Sequence, residues 1–209
     1  MRAIIYTGGK IYPQNITEHP KGDDLVIAAD SGYQNALLLK KKVDLLVGDL
    51  DSLKEPDRVP GSVEVIRVPA EKDITDTHLA VQVALEKGAD ELVIVGGLGG
   101  RLDHTLSTLA ILEDLYAKNV HAVITNGQNR VHFFRSTSYL IARSQYRYLS
   151  LIAADEEVKG VTIEGCKYPL KKATLSRRFQ FAVSNEITGN CALISVRKGG
   201  VYLIESTDL

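Results

Sequence analysis

Short apolar runs, each closed by glycine or by an acid, recur through the first 130 residues. Ala3–Tyr6 is closed by Thr7, Gly8 and Gly9, and Leu25–Ala29 by Asp30. Leu45, Leu46 and Val47 are closed by Gly48 and Asp49. Runs of this kind read as buried parallel strands that end in tight turns. Val63–Val68 alternates and is stopped by Pro69, Glu91–Val95 ends at Gly96 and Gly97, and Val120–Thr125 ends at Asn126 and Gly127. Helical patterns stand between them. One covers Tyr33–Lys42. A second opens with Glu71–Asp76, carries Leu79, Val83 and Leu85, and closes near Lys87 with Gly88 as its C-cap. A third runs from His104 to about Lys118. Strand and helix in alternation predict an α/β domain with a parallel sheet and right-handed crossovers.

The period changes after about Arg130. Val131–Arg135, Tyr146–Ala153, Val161–Ile163, Phe179–Val183, Ala192–Arg197 and Val201–Ile204 are short and strand-like, with turns and no helix between them. They predict an antiparallel β domain, a small sandwich. The expected division is 1–130 for the α/β domain and 131–209 for the β domain.

A chain of 209 residues with 44% apolar side chains suits one large domain or two small ones. A formal net charge of −1 gives no electrostatic case for a nucleic-acid partner. Cys166 and Cys191 lie far apart without metal-ligand spacing, which favours a cytoplasmic setting over a disulfide framework. Both read as small buried hydrophobes. No run reaches transmembrane length, and no apolar signal region opens the chain, so a membrane role is not expected.

The acids change the picture most, because they follow strands. Asp30 follows one, Asp49 and Asp51 another, and Asp73 and Asp76 stand beyond Val68. In a parallel sheet these ends share one edge, where open α/β sheets bind ligands. Asp49 and Asp51 form a hard oxygen site suited to magnesium with a polyphosphate. An acidic turn that merely stays solvated is the competing account. Asp73 and Asp76, three apart, are expected on one face of a first helical turn, where acids also serve as ordinary caps. Lys72 beside them could meet a phosphate. Gly96-Gly97-Leu98-Gly99-Gly100 permits close backbone approach to phosphate oxygens, or is a glycine turn with no ligand. It matches neither the GxxxxGK[ST] loop nor the dinucleotide fingerprint. Arg101 favours phosphate, since a guanidinium fork fits it. Asp103 follows, and His104 is a phosphate donor, a general base or a helix-start residue. His19, His78, His121 and His132 lack ligand spacing and read as structural or surface residues.

Asp30-Ser31-Gly32, Gly48-Asp49-Leu50-Asp51-Ser52, Lys72-Asp73-Ile74-Thr75-Asp76 and Gly99-Gly100-Arg101-Leu102-Asp103-His104 occur in one order. Together they resemble the thiamin pyrophosphokinase family. Gly165–Leu170 and Ser184-Asn185-Glu186 resemble that family's thiamin-binding half, so the resemblance covers nearly the whole chain. It implies an α/β catalytic domain, a C-terminal β-sandwich, and a homodimer with thiamin near the subunit interface. It implies transfer of the β,γ-diphosphate of ATP to the thiamin hydroxyl, with AMP released. On that resemblance Asp49, Asp51, Asp73 and Asp76 look like the catalytic and magnesium group. Arg101, Asp103 and His104 look like nucleotide contacts, and Asp30, Lys72, Gly99 and Gly100 join them. Tyr168, Ser184 and Asn185 look like the thiamin side. The chain departs from the pattern at Ser31, where a second glycine is frequent, at Tyr168, where many relatives carry tryptophan, and at Thr108, where asparagine is common. The sequence leaves two other readings: a kinase moving only the γ-phosphate to a small alcohol, and a nucleotide-binding module without turnover.

Overall fold

The computed structural model describes residues 1–49, 59–67 and 73–208. The chain divides into two compact units, Met1–Gly127 and Gln128–Leu209.

Among the described residues the first unit carries six parallel strands. They are β1 (Arg2–Tyr6), β2 (Leu25–Ala29), β3 (Leu45–Gly48), β4 (Glu64–Arg67), β5 (Glu91–Val95) and β6 (His121–Thr125). Their order is β4-β3-β2-β1-β5-β6. Three helices connect them: α1 (Gly32–Leu38), α2 (Asp76–Glu86) and α3 (Leu102–Ala117). The central strands are buried on both faces, which is why they read as unbroken apolar runs. Tyr33 and Ala36 of α1 join Ile4, Tyr6, Val26, Ala28, Leu46, Val93 and Val95 in one cluster. Alternate positions Ala3, Ile5, Ile27, Leu45 and Ile94 turn to the other face by the pleat. Helix α2 packs on β1, β2 and β3, and α3 on β6. At the start of α1 a Cβ on Gly32 would fall 2.1 Å from the Tyr6 carbonyl oxygen. Only glycine lets that helix begin so close to the end of β1. No helix among the described residues is long and apolar enough to cross a membrane.

The second unit is antiparallel. Its strands are β7 (Asn129–Arg135), β8 (Ser138–Ala142), β9 (Tyr148–Ala153), β10 (Glu157–Glu164), β11 (Leu170–Ser176), β12 (Cys191–Ser195) and β13 (Gly200–Ser206). One set runs β7-β13-β9 and a four-stranded sheet runs β11-β10-β12-β8. Burial alternates along β9, β12 and β13, as expected where one face packs on the core and the other meets water. Phe134 of β7 and Tyr139 of β8, on strands of the two different sheets, stack with ring centroids 5.3 Å apart. Glu205 is buried and held by Arg130 at two points, 2.5 and 2.8 Å, and by the Ser144 hydroxyl at 2.7 Å. Removing one member of such a set would leave a buried charge uncompensated.

Three expectations are corrected here. Phe179–Val183 is not a strand: Phe179 makes one isolated bridge to Ser176, and Phe179, Phe181 and Val183 face solvent. The second helix begins at Asp76, because the Thr75 hydroxyl accepts from the His78 amide and caps it there. Asp73 therefore precedes the helix and does not share its first turn with Asp76. Cys191 is exposed, since it lies with Leu193 on the outward face of β12, whereas Cys166 is buried.

Candidate active site

The chain steps outward from β1 through β2 and β3 to β4, then returns to the other edge of β1 as β5. That reversal opens a crevice beyond the carboxyl ends of β1 and β5. A cavity of about 320 Å³ lies there. Thr7, Gly8 and Gly9 line it from β1, and Ala29, Asp30 and Ser31 from β2. Thr75, Asp76 and Thr77 enter from the start of α2. The glycine loop after β5 supplies Gly97, Gly99, Gly100 and Arg101, and α3 supplies His104 and Thr108. The loops are tied together: the Gly97 amide donates to the Gly8 carbonyl at 2.9 Å, and the buried Thr7 and Thr77 hydroxyls meet at 2.6 Å.

Asp30 is the most constrained member. Its φ is 45°, in the left-handed region that most side chains avoid. Its Oδ1 is buried without a hydrogen-bond partner among the described residues. Gly48 turns the chain beside it with φ 151°, and a Cβ there would stand 3.1 Å from the Asp30 Cβ and 3.3 Å from Asp76 Oδ1. Two carboxylates thus flank a glycine that leaves them room. An orphaned buried carboxylate oxygen in strained backbone is the pattern of a ligand position, not of a structural residue. Asp49 follows Gly48, half-buried, at the end of β3.

The other predicted residues fall as follows. Asp76, Asp30, Gly99, Gly100, Arg101 and His104 meet at the cavity. Among the described residues Asp49, Asp73 and Asp103 stand outside its lining. Asp103 instead binds Arg101 at two points, 2.6 and 3.2 Å, and accepts from the His104 amide at 3.0 Å. The hydrogen bond from Arg101 is the main cause that holds the Asp103 carboxyl below its usual range. His104 lies in the first turn of α3, and its carbonyl accepts from the Thr108 hydroxyl. Asp51 and Lys72 lie outside the described residues. No cluster of three metal-ligating side chains occurs among the described residues. Asp30 and Asp76 offer hard oxygen donors of the kind magnesium prefers, and the unpartnered Asp30 oxygen fits such an ion.

In the second unit Tyr168 is 58% exposed, so its ring is not core. Lys167 Nζ lies 5.5 Å from its centroid. Asn185 is buried, and its amide brackets Tyr168: Oδ1 accepts from the Tyr168 amide at 2.9 Å and Nδ2 donates to its carbonyl at 2.8 Å. The structure thus makes Asn185 the residue that positions Tyr168. Ser184 is exposed with φ 56°, and its amide donates to the Ser150 hydroxyl. Sequence reasoning missed Thr7, Gly8, Gly9 and Thr77 as site residues. The Gly-Gly turn after the first strand carried the signal for the first three.

A family model for the thiamin pyrophosphokinase catalytic domain matches residues 17–124, and one for the thiamin pyrophosphokinase vitamin B1 binding domain matches 138–201. Thiamine pyrophosphokinase of Bacillus subtilis is 34% identical over 209 residues, covering 98% of each chain. A crystal structure of thiamine pyrophosphokinase from that species superposes with a TM-score of 0.90 at 30% identity, covering 100% of both chains. The structure of thiamin pyrophosphokinase from Geobacillus thermodenitrificans gives 0.86 at 28% identity, covering 100% of this chain and 98% of that one.

Proposed function

Since the chain belongs to the thiamin pyrophosphokinase family, we infer that it transfers the diphosphate of ATP to the hydroxyl of thiamin, giving thiamin diphosphate and AMP. The observation that carries this reading is the cavity where Asp30, Asp76, Arg101 and two glycine loops converge at one sheet edge. Diphosphoryl transfer asks for alignment of the alcohol with the β-phosphorus and for neutralisation of spreading charge. The glycine loops present backbone amides to phosphate oxygens, and the Arg101 fork adds charge at the rim.

Magnesium belongs to the same proposal. Asp76 and Asp30 would hold it with Asp49, Asp51 and Asp73, and the bound ion would supply charge neutralisation on the polyphosphate. An Asp of this group accepts the hydroxyl proton. Tyr168, presented by Asn185, gives a flat exposed face for the pyrimidine or the cationic thiazolium, while Ser184 lies beside it in sequence. The proposal also takes the enzyme to be a cytoplasmic homodimer acting on small molecules. The cytoplasmic setting rests on the two cysteines, which lie far apart in the sequence, and the homodimer on family resemblance and on the exposed Phe179 and Phe181, whose ring centroids lie 6.0 Å apart.

Product analysis with ATP, thiamin and magnesium tests the reading. The expected products are AMP and thiamin diphosphate in equal amounts. ADP with thiamin monophosphate would establish γ-phosphoryl transfer instead, and ATP binding without turnover would establish a nucleotide-binding module.

A further inference from the structure

Asn35 lies in the middle of α1, outside the cavity lining, yet its side-chain amide reaches back to the loop after β1. Nδ2 donates to the Thr7 carbonyl at 2.8 Å and to the Gly9 carbonyl at 3.0 Å. The carbonyl between them, on Gly8, accepts from the Gly97 amide at 2.9 Å. Three successive carbonyls are therefore tied back to the protein. A trans peptide is planar, so its N–H points opposite its C=O, and no cis peptide bond occurs among the described residues. Fixing the Thr7 carbonyl fixes the direction of the Gly8 N–H, and fixing the Gly8 carbonyl fixes that of the Gly9 N–H. Both glycines line the cavity, and their amides meet no acceptor among the described residues.

We propose that Asn35 is a positioning residue that holds the Thr7–Gly9 loop as an amide cradle for the diphosphate part of the nucleotide. The amide of asparagine suits the task because one nitrogen carries two donors and the two carbonyls need one each. Without it those carbonyls are free to rotate toward the cavity, where they would repel phosphate oxygens. The inference deepens the assignment of this cavity to ATP and rests on it, but it concerns phosphate binding and does not depend on which acceptor receives the group.

The test compares the parent chain with Asn35→Ala and Asn35→Asp. Binding of inorganic diphosphate, ATP and AMP is measured by calorimetry in magnesium buffer, alongside the melting temperature and the KM for ATP and thiamin. Asn35→Asp keeps the shape, removes the donors and sets a carboxylate against two carbonyls. The expected result is a loss of about tenfold in diphosphate and ATP affinity in Asn35→Ala, corresponding to the loss of about one well-made hydrogen bond, and a larger loss in Asn35→Asp. AMP affinity and the KM for thiamin should stay within about twofold, and kcat should fall less than kcat/KM for ATP. Unchanged diphosphate affinity in both variants would overturn the proposal. So would an equal loss for AMP and diphosphate, or failure of both variants to fold, since Asn35 would then serve the fold alone. Failure of the functional reading looks different: the parent chain itself would bind diphosphate but make no thiamin diphosphate.

Discussion

Arg101 and Asp103 grip each other at the rim of the cavity, Nη2 to Oδ2 at 2.6 Å and Nε to Oδ1 at 3.2 Å. Both side chains are largely exposed, so the pair adds little to stability. Its effect is to hold one guanidinium beside the glycine loop.

Arg101→Ala should raise the KM for ATP about tenfold, as expected for the loss of a charge-assisted contact, and leave the KM for thiamin unchanged. The pair should persist across neutral pH. A carboxyl whose folded value is lowered keeps its contribution above its unfolded value and loses it only as pH falls through the folded value. For Asp103 that window lies below the ordinary aspartate value of 3.8. Steady-state kinetics from pH 5 to 8 checks this, and a change in ATP affinity within that range that disappears in Asp103→Asn would count against it.

Asp30→Gly should separate activity from stability. Glycine takes up φ 45° without strain that costs an aspartate about 1–2 kcal/mol. The urea midpoint should equal or exceed that of the parent, while magnesium-dependent turnover falls about a hundredfold with the lost carboxylate. A lower midpoint with full turnover would reverse the assignment of Asp30 to the site.

Tyr168→Ala should leave the melting temperature in place, because the ring is exposed, and should weaken thiamin by about 0.5–2 kcal/mol if the ring stacks on a cation. Tyr168→Phe should keep most of that affinity. Asn185→Ala should weaken thiamin as well, and it should also cost about 1 kcal/mol of stability for each part-buried hydrogen bond to the Tyr168 backbone that it removes. Thiamin titration beside thermal melts distinguishes the presented ring from the residue that presents it.

His78 should make the first unit sensitive to mild acid. Burial is the main cause that lowers its pKa, partly opposed by Asp114. Its Nδ1 lies 2.9 Å from the Thr75 hydroxyl. With the folded value lowered, stability is complete above the unfolded value of about 6.5 and is lost as pH falls through the folded value. His19 is shifted the same way by burial and adds to the slope. Chemical denaturation at pH 7.5 and 5.5 should show the decline, and His78→Gln should reduce it.

Much of the first unit could be read in advance because each central strand is apolar on both faces and closed by glycine or acid. Once the sheet was parallel, Asp30, Asp76 and Arg101 had to share an edge. The second unit was harder. Phe179, Phe181 and Val183 alternate like a strand, and Ala182 does accept from the Leu151 amide. Alternation records which side chains meet water, however, and says nothing about whether a neighbour supplies a full ladder. Strand β11 was missed because Lys171 and Lys172 give it a polar face. The start of α2 was misjudged because the acids before it resemble a first turn, while the Thr75 hydroxyl sets the cap. Asn35 had no local signature at all, since its partners lie 26 and 28 residues away.

The position of β1 between β2 and β5 also bears on how the chain comes together during synthesis. β1, β2, β3 and β4 can pair as they emerge, but the other edge of β1 has no partner until Glu91–Val95 is made. Until then an apolar strand with free backbone groups remains open to pairing with another chain. Closing that edge is a long-range contact and therefore a slow one. It is also the step that brings Gly97 to Gly8 and creates the cavity. A nucleotide that binds there recognises only chains that have finished this step and draws the population toward them by mass action, so the substrate would act as a late folding ligand for the enzyme that uses it.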